Sequence, residues 1–124
     1  MNIMIVGSRN FHDYTFLRNK CNEIIQKISD NDVTIISGGA RGTDSLAEKY
    51  AEEYNQEFAL WVMKAEWNQY GKKAGYLRNA EMVKISDYLI AFWDGKSKGT
   101  KHSIDLFMKK YEEPSHQRMW IIVV

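Results

Sequence analysis

Every glycine of this chain falls in one of four short windows, 7–13, 37–44, 71–78 and 93–101, which also hold eight of the 17 basic residues. The richest window is Ser37-Gly38-Gly39-Ala40-Arg41-Gly42-Thr43-Asp44. Where such a loop opens a helix, free backbone N–H groups and the helix dipole favour a phosphate or carboxylate. Arg41 adds a bidentate partner for the same anion. The spacing is neither a Walker A loop, which ends in Gly-Lys-Ser/Thr, nor the GxGxxG fingerprint. Asp44 reads either as an acid of the first helical turn or as the acceptor of a ribose hydroxyl. The window Trp93-Asp94-Gly95-Lys96-Ser97-Lys98-Gly99-Thr100-Lys101 offers a second anion cradle, with Ser97, Thr100 and the Gly99 backbone as donors and Lys96, Lys98 and Lys101 as counter-charges.

The other two windows add Gly7, Ser8 and Arg9, and then Arg78 and Asn79, which point to either core or ligand. Phe11 packs beneath a base or staples the next helix. Trp67 and Tyr70 stack on a purine or anchor their loop. Other chemistries have little to build on. His12, His102 and His116 are dispersed without metal-ligand spacing, no G-x-S-x-G elbow exists, and no metal or cofactor is expected. The single Cys21 excludes a disulfide framework and a cysteine zinc cluster. Asp44, Glu81 and Asp94 lie near the loops, but nothing marks any of them as a base.

The elements that must carry these windows are legible from periodicity. Short apolar runs at Ile3–Val6, Val33–Ile36, Phe58–Met63, Tyr88–Trp93 and Trp120–Val124 read as strands. Between them the period changes to that of a helix. Tyr14, Leu17, Cys21, Ile24, Ile25 and Ile28 share one face behind an Asp13 N-cap; Leu46, Ala47, Tyr50, Ala51 and Tyr54 share another. Further helices are expected over about 75–86 and 100–111, the latter with Ile104, Phe107, Met108 and Tyr111 inward and Pro114 past its end. Lys64–Gly75 is expected to be a loop. Strands alternating with helices imply βαβ units and a parallel sheet. The expectation is one Rossmann-like doubly wound α/β domain over 1–124, about five strands with helices on both faces. Its ligands would sit at the carboxyl ends of the strands, at the switch point.

Composition agrees with an ordinary globular protein: 44% hydrophobic, 27% charged, net charge +1. Aromatic content of 13% excludes a disordered tail. The near-zero charge argues against a general duplex-DNA binder, so nucleic acid is not the expected partner. No apolar run reaches membrane length, and the first residues read as a strand rather than a signal peptide. A cytoplasmic location is expected.

Gly7-Ser8-Arg9, Ser37–Asp44, Trp67, Tyr70-Gly71, Arg78-Asn79-Ala80-Glu81-Met82 and Phe92–Thr100 together resemble the YspA/YpsA-related branch of the SLOG superfamily. The resemblance runs over nearly the whole chain. It implies a Rossmann-like fold whose relatives include the cytokinin-activating LOG enzymes, the DNA-processing protein of natural transformation, and sensors of NAD- or ADP-ribose-derived nucleotides. It also implies a homo-oligomer. LOG enzymes cleave the base from a nucleoside 5′-monophosphate with an arginine in Arg-Lys-x-x-Met and a glutamate in Pro-Gly-Gly-x-Gly-Thr-x-x-Glu. Arg78 carries over, and so does Gly99-Thr100, but the glutamate position is Ser103. An oxocarbenium-like transition state needs a carboxylate, which serine does not supply.

The leading expectation is therefore a non-catalytic binder of a phosphate-bearing nucleotide, a sensor or a sequestering protein, with no catalytic residue beyond Arg78 if it proves an enzyme. A LOG-like hydrolase is the alternative, and a single-stranded nucleic-acid module a more distant one. The charge partition supports a compact anion. The four windows hold eight basic and three acidic residues, net +5, in a chain of net +1.

Overall fold

The computed structural model describes residues 1–28, 32–112 and 117–124; Pro114 and His116 lie outside them. Five strands, β1 (Asn2–Gly7), β2 (Val33–Ser37), β3 (Phe58–Val62), β4 (Tyr88–Trp93) and β5 (Met119–Val123), form one sheet in the order β3-β2-β1-β4-β5. All neighbouring pairs are parallel, with Ile3 opposite both Ile35 and Tyr88 in the central register. Five helices connect them: α1 (Tyr14–Lys27), α2 (Thr43–Glu53), α3 (Trp67–Tyr70), α4 (Ala74–Ile85) and α5 (Lys98–Lys110).

A parallel strand covered on both faces must be apolar at every position, not at alternate ones. β1 and β4 meet this demand: Ile3, Met4, Ile5, Leu89, Ile90, Ala91 and Phe92 are fully buried. Their side chains divide by parity. Ile3, Ile5, Ile90 and Phe92 pack with Leu17, Cys21 and Ile24 of α1 and Ala47, Tyr50 and Ala51 of α2. Met4, Val6, Leu89 and Ala91 pack on the other face with Met82 and Val83 of α4 and Ile104 and Phe107 of α5. This is the doubly wound α/β arrangement expected from the alternation.

α1 starts where expected, because the Asp13 carboxylate accepts the Phe16 N–H at 3.1 Å. Two expectations need correction. Lys64–Gly75 is not plain loop: it contains α3, closed by Tyr70 N–H to the Glu66 carbonyl at 3.0 Å, and a 3₁₀ turn over Gly71–Lys73 leading into α4. Met108 is not on the inner face of α5 but 53% exposed; Ile104 and Phe107 fill that face instead.

The chain runs from β1 outward to β2 and β3, then returns to the far side of β1 with β4. The loops after β1 and β4 therefore lead to helices on opposite faces, and a crevice opens between them.

Candidate functional site

The loop after β1 is anchored by Ser8. Its N–H reaches the Phe92 carbonyl at 2.9 Å, its hydroxyl accepts the Asp94 N–H at 3.1 Å, and its carbonyl accepts the Thr43 hydroxyl at 2.9 Å. One buried residue thus joins the ends of β1 and β4 to the start of α2. Gly42 permits the approach. Its φ is +74°, and a Cβ there would lie 2.3 Å from the Arg9 carbonyl oxygen. No side chain other than glycine fits.

A cleft of about 340 Å³ opens at this edge of the sheet. Gly7 and Arg9 contribute from the β1 end, Gly38, Ala40 and Asp44 from the loop after β2, and Trp67 and Lys72 from the β3–α4 connection. Arg78, Asn79 and Met82 of α4 and Gly99, Thr100 and Ser103 of α5, with Ser97, complete it. A second hollow of about 320 Å³ shares Arg9, Gly38, Ala40, Trp67 and Arg78 with it and adds Arg41 and Lys64. The two hollows therefore form one depression. Five basic residues and one acid, Asp44, line it.

The Arg78 guanidinium is fixed on both sides. It donates from Nη1 to the Gly38 carbonyl and from Nε to Asn79 Oδ1, the latter at 2.9 Å. Burial draws its pKa down from the usual arginine value, Asp44 opposes that, and Arg9 adds to it. Asn79 in turn donates to the Gly99 carbonyl at 3.3 Å, tying α4 to the first turn of α5. Asp44 is buried, and its Oδ2 accepts the Ala40 N–H at 3.1 Å. Burial raises its carboxyl to about 6, while the Ala40 amide, Arg78 and Arg9 pull the other way and Glu48 adds to the rise.

Of the residues singled out in the sequence, Gly7, Arg9, Gly38, Gly39, Ala40, Arg41, Asp44, Trp67, Arg78, Asn79, Ser97, Gly99 and Thr100 meet in this depression. Others hold the loops. Asp94 accepts the Lys96 and Ser97 N–H groups, both at 2.8 Å, which holds its pKa below the usual carboxylate range and starts α5 two residues before Thr100. Those two amides serve Asp94 instead of a ligand. Trp93 donates from Nε1 to the Ser97 carbonyl at 3.1 Å, and the Ser37 hydroxyl donates to Glu48 at 2.7 Å. Lys101 pairs with Asp105 at 2.8 Å. Gly95, at φ +80°, turns the exposed corner after β4. Phe11 stacks on Phe92 at 5.4 Å between centroids, so its ring belongs to the core. Tyr70 is exposed and Glu81 lies on the outer side of α4; neither lines the depression. Sequence reasoning did not single out Lys64, Met82 or Tyr76 for the site. Lys64 follows β3, so the parallel topology was the available signal.

A doubly wound parallel sheet with a basic, glycine-floored depression at its switch point defines a Rossmann-like domain. The family model for "YspA, cpYpsA-related SLOG family" matches residues 1–70. The chain belongs to that SLOG family. The Gene 61 protein of Mycobacterium phage D29 is 36% identical over 104 residues, which is 81% of this chain and 82% of that protein. The structure of DNA processing protein A from Helicobacter pylori, described for its single-stranded DNA binding mode, superposes with a TM-score of 0.66 at 20% identity. The match covers 98% of this chain and 64% of that one, and at this identity it speaks for the fold. Among the described residues no helix is long and apolar enough to cross a membrane.

Proposed function

We propose that the depression binds a phosphate-bearing, nucleotide-derived small molecule and that the protein acts as a sensor or sequestering protein. The observation that carries this reading is the convergence of Arg9, Arg41, Lys64, Lys72 and Arg78 on a glycine-floored cleft containing a single carboxylate. Three features suit a phosphate: the Arg78 fork held by Gly38 and Asn79, the N-terminal turn of α5 without a side-chain cap, and glycine backbone that a ligand can approach closely. Half-exposed Trp67 lies at the junction of the two hollows, where its ring can cover a base.

Thermal denaturation with a panel of NAD- and ADP-ribose-derived nucleotides tests the proposal. A binder present at 100 times its Kd should stabilise the fold by about 2.7 kcal/mol. Arg41→Glu and Arg78→Ala should each abolish the shift. A panel without any shift sinks the reading.

Single-stranded DNA is the second reading, against the expectation that nucleic acid is not the partner. Exposed Trp67 beside Arg9, Arg41 and Lys64 has the composition of a stacking platform with phosphate contacts, and the structural neighbour is described by its single-stranded DNA binding mode. On this reading oligonucleotides should quench tryptophan emission, with affinity falling steeply as salt rises.

A further inference from the structure

Two buried polar groups of the cleft have unfilled hydrogen-bonding capacity. Asp44 is 7% exposed, and only its Oδ2 is engaged, by the Ala40 N–H at 3.1 Å. Among the described residues no donor reaches Oδ1, and no basic nitrogen lies within 4 Å of the carboxylate. Ser103 is 1% exposed and lines the same cleft, and its hydroxyl likewise has no partner among the described residues. By contrast, the Ser86 hydroxyl is bonded to the Met82 carbonyl at 2.6 Å, the usual solution for a serine at a helix end. No fully enclosed side-chain oxygen lacks a partner among the described residues, so Asp44 Oδ1 and Ser103 Oγ both open onto the cleft.

An open carboxylate oxygen calls for a donor. Arg9, Arg78 and Lys72 line the same cleft, so a cationic donor is disfavoured and a neutral one favoured. Its position narrows the choice further. A Cβ on Gly38 would lie 2.7 Å from Arg78 Nη1 and 2.9 Å from Asp44 Oδ2, so arginine and carboxylate flank the same small space. If Arg78 holds a phosphate, the donor to Asp44 belongs to the part of the ligand next to that phosphate. In a nucleotide that part is the sugar, because the base lies beyond it.

We propose that Asp44 accepts a hydrogen bond from a sugar hydroxyl, so that the cleft selects ribonucleotides over their deoxy counterparts. The inference rests on the nucleotide reading of the cleft. It disfavours a DNA strand, which lacks the 2′-hydroxyl and esterifies the internal 3′-oxygen, and so leaves the buried carboxylate unmatched. Sites built to bond a substrate hydroxyl reject the analogue lacking it, because their own polar group is stranded.

The test uses the full chain, the four ribonucleoside 5′-diphosphates, and the 2′-deoxy and 3′-deoxy form of each, with affinities from titration calorimetry. The ribo form of whichever base binds should bind about tenfold or more tightly than at least one deoxy form. In Asp44→Ala that preference should collapse to within about twofold, through loss of ribonucleotide affinity alone. Asp44→Asn should fall between the two, and melting of each free variant establishes that it is folded. Equal affinity for ribo and deoxy forms in the wild type overturns the inference while leaving the nucleotide reading intact. A preference that survives in folded Asp44→Ala also overturns it. No binding of any nucleotide removes the reading beneath it.

Discussion

Asp44 links the chemistry of the cleft to the stability of the fold. Its carboxyl titrates at about 6 in the folded protein, against about 3.9 for an unfolded aspartate. Between these values the folded state holds a proton that the unfolded chain has released. Stability therefore falls as pH rises from about 4 to about 6 and levels off above, by ~3 kcal/mol. Asp44→Asn lacks this dependence. The difference in unfolding free energy between wild type and variant should swing by about that amount in the variant's favour between pH 3 and pH 7, as urea denaturation at each pH would show. A difference that stays flat with pH would exclude the carboxylate as its source. Gly42→Ala should cost at least about 1–2 kcal/mol from its positive φ alone, and more because the methyl meets the Arg9 backbone. The melting temperature of the variant gives the direct readout. At this scale the sequence was only half legible. Glycine and arginine in one window marked a candidate anion loop, but whether Ser8, Ser37 and Asp94 face a ligand or hold the loops depends on partners the motif does not name, Glu48 for Ser37 and, 86 residues away, Asp94 for Ser8.

Helices α4 and α5 carry Arg78 and Asn79 on one side of the cleft and Gly99, Thr100 and Ser103 on the other, so their mutual position sets its width. At the opposite end of this pair, Lys110 of α5 donates from Nζ to the carbonyls of Val83, Lys84 and Ser86 at 2.8, 3.0 and 2.8 Å. A cation on the last carbonyls of a helix answers its unpaired acceptors and its dipole. Lys110→Ala should lower stability by about 0.5–1.5 kcal/mol in chemical denaturation, while Lys109→Ala, at the exposed neighbouring position, should change it little. The strands were legible to within a residue or two, because β1 and β4 are apolar throughout and end at glycine or Asp94-Gly95. The short α3 was not. None of the four residues of Trp67–Tyr70 is buried, so no buried stripe betrays it, and only local backbone bonds define it.

For the molecule as a whole, the expected gathering of positive charge occurs with a changed membership. Arg9, Arg41, Lys72 and Arg78 line the depression and Lys64 joins them, whereas Lys96, Lys98 and Lys101 do not line it. A small anion bound there should lose affinity only modestly as salt rises from 50 to 200 mM, because few charges are neutralised. A strand that contacts several phosphates should lose orders of magnitude. Titrations of a mononucleotide and an oligonucleotide across that range thus separate the two readings of the site. Sheet order carries a consequence for synthesis. β1 leaves the ribosome first, pairs with β2 early, and then waits for β4, whose Tyr88 lies opposite Ile3 across 85 residues of sequence. Until then a strand whose Ile3, Met4 and Ile5 are fully buried in the native sheet is an open edge, a template for pairing with other nascent chains. Folding of this chain is therefore governed by its second half. A fragment of residues 1–70, which keeps β1 to β3 and loses β4, should aggregate instead of folding, and its yield should depend on how quickly that edge is covered.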